Sequence, residues 1–138
     1  MRYVNCGHLP PLLLRAGQGS QGDALEIEQL DSTCTVLGLF EDWHCVVAEV
    51  QLSPGDTVVL YTDGVTEASR ADGEEFGARR LLEVLKAHHH LPVQSLLQEI
   101  VAAVQQFSSG EQQDDITLVV ARCKAIAADC RSTHVRPL

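Results

Sequence analysis

Basic residues are scarce in this sequence. Ten Lys and Arg stand against nineteen Asp and Glu in 138 residues, a formal net charge of −9. That balance argues against a nucleic-acid partner, which needs a basic face to meet phosphates, and against a polybasic membrane-surface site. Aromatic residues are only 4% of the chain, and Trp43 is the single tryptophan; it is expected to be partly buried for packing rather than to stack on a ligand. No apolar run is long enough to cross a bilayer, and the N-terminus shows no secretory pattern. The five cysteines, at positions 6, 34, 45, 123 and 130, include no CxxC spacing, which disfavours zinc held by cysteines. An odd thiol count without a signal peptide suits a reducing cytoplasm. The Gly- and Ser-rich stretch from Ala16 to Asp23 lacks the Lys and following helix of a P-loop and reads as a flexible loop. No internal repeat is visible.

What is present fits one globular domain with a real core: 45% hydrophobic residues and a mean hydropathy of +0.01. Most of the acidic excess reads as solubilising surface, although carboxylates also serve divalent cations. Arg2 to Cys6 and Leu12 to Arg15 read as strands that pair closely around Gly7 and Pro10-Pro11. Leu25 to Leu30 alternates as a half-buried strand, and Val46, Ala48, Val50 and Leu52 alternate in another. Ser53-Pro54-Gly55-Asp56 is a turn feeding a buried strand over Asp56 to Tyr61. Ala78 to His88 has helical periodicity with Leu81, Leu82, Val84 and Leu85 on one side. His88-His89-His90 end that helix; neighbours in sequence splay apart, so a shared metal ion is the weaker reading. Pro92 opens a second helix whose stripe of Leu96, Ile100, Val104 and Phe107 is core. Ser108 to Gln113 is loop, Ile116 to Arg122 a strand, and 125–138 a tail. Strands, two helices and a closing strand make a layered α+β chain, with helices against one face of an antiparallel sheet.

The stretch of most chemical interest is Leu60-Tyr61-Thr62-Asp63-Gly64-Val65-Thr66-Glu67-Ala68. A strand runs directly into Asp63-Gly64, read as a sharp turn that aims a carboxylate at a ligand. Four motifs follow one another: Tyr3-Val4-Asn5-Cys6-Gly7-His8-Leu9-Pro10-Pro11; Leu52-Ser53-Pro54-Gly55-Asp56 with Leu60 to Ala68; Glu74-Glu75-Phe76-Gly77; and Gln113-Asp114-Asp115-Ile116-Thr117-Leu118-Val119-Val120. In that order they resemble the metal-dependent serine/threonine phosphatases of the PP2C superfamily, and within them the bacterial SpoIIE/RsbU-type branch. The resemblance runs from about Tyr3 to Arg122. Leu37-Gly38-Leu39 resembles a further family segment, with Val36 where proline is usual.

The resemblance implies part of an α/β/β/α sandwich of two antiparallel sheets flanked by helices. It implies hydrolysis of phosphoserine or phosphothreonine on a protein, with Mn²⁺ or Mg²⁺ in a two-metal site and water as nucleophile. Asp63 and Asp114 are the expected catalytic and metal carboxylates, with Asp115 as a further metal ligand. Gly64 and His8 are candidates for substrate binding, although His8 is as well placed to hydrogen-bond its own loop. The implied substrate is an anti-anti-sigma-type regulator in bacterial signalling.

One feature of the family is missing: nothing in Met1 to Pro11 matches its N-terminal metal motif, an Asp followed by Gly-His-Gly. Residues 1–124 are therefore expected to be the C-terminal portion of the catalytic domain, either a fragment or a chain with a misassigned start. The alternative function is a non-catalytic substrate-docking module of the same fold. A sheet cut in mid-domain would leave an unpaired edge and an apolar face, so the chain made alone is expected to self-associate as a homodimer or to be marginally stable.

Overall fold

The computed structural model describes residues 1–17, 25–39, 41–108 and 115–125. Chain order gives β1 (Arg2–Tyr3), β2 (Leu12–Leu14), β3 (Ile27–Gln29), β4 (Ala48–Glu49), β5 (Thr57–Tyr61), α1 (Asp63–Thr66), α2 (Gly77–His88), α3 (Val93–Phe107) and β6 (Leu118–Arg122). The central sheet is antiparallel in the order β3-β2-β5-β6, and β1 pairs with β4 in a separate two-stranded sheet. The expected pairing of the first two strands is therefore corrected. Gly7, at φ +86°, and Pro10-Pro11 carry the chain from one sheet to the other instead of folding it back as a hairpin.

Alternation along β5 builds two layers. Val59 and Tyr61 point, with Leu12 and Leu14 of β2, into a core completed by Val65, Phe76, Leu81, Leu85, Leu96, Ile100, Val104 and Phe107. Each such aliphatic side chain taken fully from water contributes about 1.5–3 kcal/mol. Leu13 and Val58, one residue out of phase, point to the other face and meet Leu30, Val50, Tyr3 and Leu52. The expected helix over 78–88 is α2, and the helical stripe after Pro92 is the buried face of α3. The sheet thus has helices on one face and the small β1–β4 layer on the other, the α+β arrangement expected.

A buried carboxylate holds the turn before β5. Asp56 is 2% exposed and accepts the N–H groups of Ala16 (2.8 Å) and Ser53 (2.9 Å) and the guanidinium of Arg15 (3.2 Å). Burial alone would raise this carboxyl. The Ser53 and Ala16 amides and the Arg15 charge outweigh it and hold its pKa below the usual carboxylate value. Gly55 sits at φ +95°, and a Cβ there would lie 2.8 Å from the Ala16 Cβ. At the same end of β5, Arg122 reaches across from β6 to Thr57 Oγ1 (2.8 Å) and donates to the carbonyls of Leu91 (2.8 Å) and His89 (2.7 Å). The carbonyl groups of the α2–α3 connection are thereby tied to the sheet.

Trp43 departs from expectation. It is 44% exposed, held by a hydrogen bond from its indole N–H to the Thr35 carbonyl at 3.3 Å, because it lies on a segment outside both apolar clusters. The strand expected through Val46 is also shorter than the alternation suggested: Val46 is 66% exposed, and only Ala48–Glu49 pairs, with the equally short β1. The loop read at Ala16 to Asp23 lies mostly, and the tail read at 125–138 almost wholly, outside the described residues.

Candidate functional site

The last β5–β6 pair is Tyr61 opposite Leu118. One residue further, Thr62 N–H donates to the Thr117 carbonyl at 3.1 Å. The Thr62 hydroxyl closes the end of the ladder twice. It accepts the Thr117 N–H at 3.0 Å and donates to the Asp115 carbonyl at 3.2 Å. The residue before Asp63 is therefore bonded to the backbone of Asp115, and the exit of β5 and the start of β6 meet at one end of the sheet.

Asp63 is exposed and is the first residue of the four-residue α1. The expected Asp63-Gly64 turn is a helical turn instead. Gly64 is buried and is not among the positive-φ glycines; its N–H donates to Asp63 Oδ1 at 3.0 Å. The chain turns this way because Val65 drops into the core with no exposed surface and a helical turn brings it there. Asp115 is exposed and close to Thr62. Asp114 lies outside the described residues.

His8 stands on the turn after β1. Its N–H donates to Asn5 Oδ1 at 2.8 Å and its ring Nδ1 lies 2.9 Å from the Leu9 carbonyl, so the loop-bonding reading of this histidine describes its contacts. Its ring remains exposed on the rim of a cleft of about 380 Å³, lined by Val4, Leu60, Tyr61, Thr62, Thr117 and Val119 among others. The cleft opens on the sheet face away from the helices and reaches the Thr62–Thr117 end. The Tyr61 phenol points to the helix side of the sheet, and burial there pushes it above its ordinary pKa.

Three of the expected residues, Asp63, Gly64 and Asp115, therefore gather at one sheet end, and His8 faces the cleft that runs up to it. The oxygen donors there, carboxylates and backbone carbonyls, are of the kind a hard divalent cation takes. Among the described residues no three His, Cys, Asp or Glu side chains are placed to hold one ion. The residue the sequence reading missed is Thr62. Its position between an apolar strand and an acid was the available signal, since a hydroxyl at a strand end bonds neighbouring backbone.

The sequence model of the family described as Stage II sporulation protein E (SpoIIE) matches residues 1–124. Protein IcfG of Synechocystis sp. is 30% identical over 122 residues, which are 86% of this chain and 18% of that protein. Phosphoserine phosphatase RsbU of Bacillus subtilis is 29% identical over 124 residues, 88% of this chain and 34% of that protein. The solved SiaA-PP2C domain of Pseudomonas aeruginosa superposes with a TM-score of 0.62 at 26% identity, over 83% of this chain and 43% of that one. The chain thus spans about a fifth to a third of the length of these two curated relatives.

Proposed function

We propose, because this chain belongs to the SpoIIE family of PP2C-type phosphatases, that it forms part of a metal-dependent serine/threonine phosphatase and carries one side of its site. The observation that carries the reading is the Thr62 hydroxyl bridging Asp115 and Thr117. It fixes the start of α1 at Asp63 against the backbone at Asp115. Asp63 and Asp114 are the carboxylates we assign to catalysis and metal binding, with Asp115 beside them. They would hold Mn²⁺ or Mg²⁺, which supplies an activated water and charge neutralisation at the phosphoryl group. The chain's own contribution is then positional: anionic oxygens at fixed places on a sheet end, with the Asp63 carboxylate oriented by the Gly64 N–H.

His8 and the cleft beneath it suit the flank of a phosphorylated peptide, with the ring near the phosphate and Val4, Leu60 and Val119 against apolar side chains. The substrate we assign is a phosphoprotein, an anti-anti-sigma-type regulator in bacterial signalling. The second reading, a docking module that binds such a phosphoprotein without turning it over, is favoured by one observation: the largely apolar cleft beside His8 offers a peptide flank contacts that involve no metal ion.

Manganese-dependent hydrolysis of p-nitrophenyl phosphate and of a phosphoserine peptide by the 138-residue chain, beside Asp63→Asn, decides between the two. The expected result is turnover that falls at least about a hundredfold in the folded variant, as loss of a ligand charge in a metal site would require. Turnover unchanged in Asp63→Asn refutes the assigned role. Peptide binding without turnover in either protein selects the docking module.

A further inference from the structure

Cys6, Cys34 and Cys45 are far apart in sequence and take no part in the acidic end of the sheet, yet the fold brings them together. An isolated antiparallel bridge sets Cys34 opposite Cys45, and the Val46 N–H donates to the Thr33 carbonyl at 3.2 Å. A bond between the flanking residues marks the non-hydrogen-bonded position of an antiparallel pair, where opposed Cα atoms are about 4.5 Å apart and side chains are nearest. A disulfide accepts Cα separations of about 4.4–6.8 Å. Cys6 joins through its neighbour, for the Asn5 carbonyl accepts the N–H groups of both Thr33 (2.9 Å) and Cys34 (3.1 Å). The three thiols stand in a row, Cys34 between Cys6 and Cys45, each near enough to act on its neighbour's ionisation. All three are free and half-buried, so small reagents can reach them.

The row makes the thiols unequal. Partial burial opposes ionisation of Cys34, but the facing Cys45 thiol, the Thr33 hydroxyl at 3.8 Å, the nearby Val46 N–H and the Cys6 thiol outweigh it and lower its pKa. Cys45 is raised to about 11, chiefly by the facing Cys34 thiol and then by burial. Cys6 is raised by burial first and by the neighbouring Cys34 thiol second. The thiolate is the reactive form, so the middle thiol of the row is the nucleophile.

We propose that Cys34 and Cys45 form a redox-active pair, with Cys34 the attacking thiol and Cys45 its resolving partner, closed to a disulfide by a hydroperoxide. In the first step the Cys34 thiolate attacks the terminal peroxide oxygen. The O–O bond breaks, sulfur is oxidised to sulfenic acid, and the leaving alkoxide or hydroxide takes a proton from solvent. In the second step Cys45 gives up its proton and attacks the Cys34 sulfur. The S–O bond breaks, the S–S bond forms, and hydroxide leaves as water. A low-molecular-weight thiol reverses the bond by exchange. Closure ties together the ends of the segment that carries the exposed Val36, Leu37, Leu39 and Trp43. Asn5, bonded to Cys34 on one side and to the His8 N–H on the other, links the pair to the cleft rim.

The test treats the 138-residue chain, in a Cys123→Ser, Cys130→Ser background, with hydrogen peroxide. Remaining thiols are capped with iodoacetamide under denaturing conditions and the peptides are mapped by mass spectrometry. The expected product is a Cys34–Cys45 linked peptide. In the native protein at pH 7, Cys34 is expected to alkylate at least about tenfold faster than Cys45, the thiolate advantage offset in part by the lower nucleophilicity of a more acidic thiol. In Cys45→Ser, oxidation should halt at a Cys34 sulfenic acid that dimedone traps. Alkylation of Cys34 no faster than that of Cys45 overturns the proposal. So does oxidation that yields a Cys6–Cys34 link, a link between two chains, or no link.

Discussion

Replacing Asp56 by alanine should cost this protein about 3 kcal/mol, and the structure says why. The carboxylate is 2% exposed, and alanine removes its bonds to the N–H groups of Ala16 and Ser53 and to Arg15. Hydrogen bonds to a charged group contribute about 1.5–3 kcal/mol each, and a buried ion pair that loses one partner costs about 3–5 kcal/mol. These terms are not additive. Arg15 is also 29% exposed in its side chain and keeps Glu28 at 2.7 Å, so the lower end of the range applies. For a domain of this length that is a fall in Tm of about 10 °C. The pH dependence gives an independent check. The folded pKa of Asp56 lies below its ordinary value, so its stabilisation is fully present above the unfolded value of about 4 and is lost as pH falls through the folded pKa. Urea melts followed by circular dichroism should therefore show a gap between wild type and Asp56→Ala that is constant from pH 7 to about 5 and narrows below 4. Asp56→Asn, which keeps one acceptor oxygen but turns an amide donor toward N–H groups, should fall between the two. A variant within about 0.5 kcal/mol of wild type at pH 7, or a gap indifferent to acid, would refute the reasoning.

Thr62→Val keeps shape but loses the hydroxyl bonds to Asp115 and Thr117. Stability should drop by about 1 kcal/mol, while manganese affinity, read by calorimetry, drops about tenfold because the backbone at Asp115 is no longer fastened beside Asp63; unchanged affinity would discard this positioning role. Gly55→Ala meets both a positive φ and the Ala16 Cβ, so a loss of about 1–3 kcal/mol in chemical denaturation is expected, and a neutral outcome would mean that the turn relaxes freely.

The sequence by itself determined the elements with strong periodicity. The stripe of Leu96, Ile100, Val104 and Phe107 could only be a helix face seeking a core, and β5 announced itself through a Pro-Gly turn and a run of β-branched residues. It also read Asp63 at a strand exit and Asp114-Asp115 at a strand entry, from where apolar runs stop and begin; Asp63 directly follows Thr62 at the end of β5, whereas β6 begins only at Leu118 and Asp114 lies outside the described residues. Pairing was beyond it. Strands as short as β1 and β4 carry too few alternating residues to state a partner, and whether Arg2–Tyr3 met Leu12–Leu14 or Ala48–Glu49 was settled by which face of the sheet needed cover. Trp43 was misread for the same reason, because burial is a property of neighbours and its neighbours lie outside both cores. Gly64 looked like a turn glycine until Val65 was seen to need the core. The roles of Thr62 and Asp56, and the meeting of Cys6, Cys34 and Cys45, depend on contacts between residues far apart along the chain. Only the assembled sheets bring such groups together, β2, β5 and β6 side by side for Asp56 and Thr62, and the bridge between Cys34 and Cys45 for the thiols.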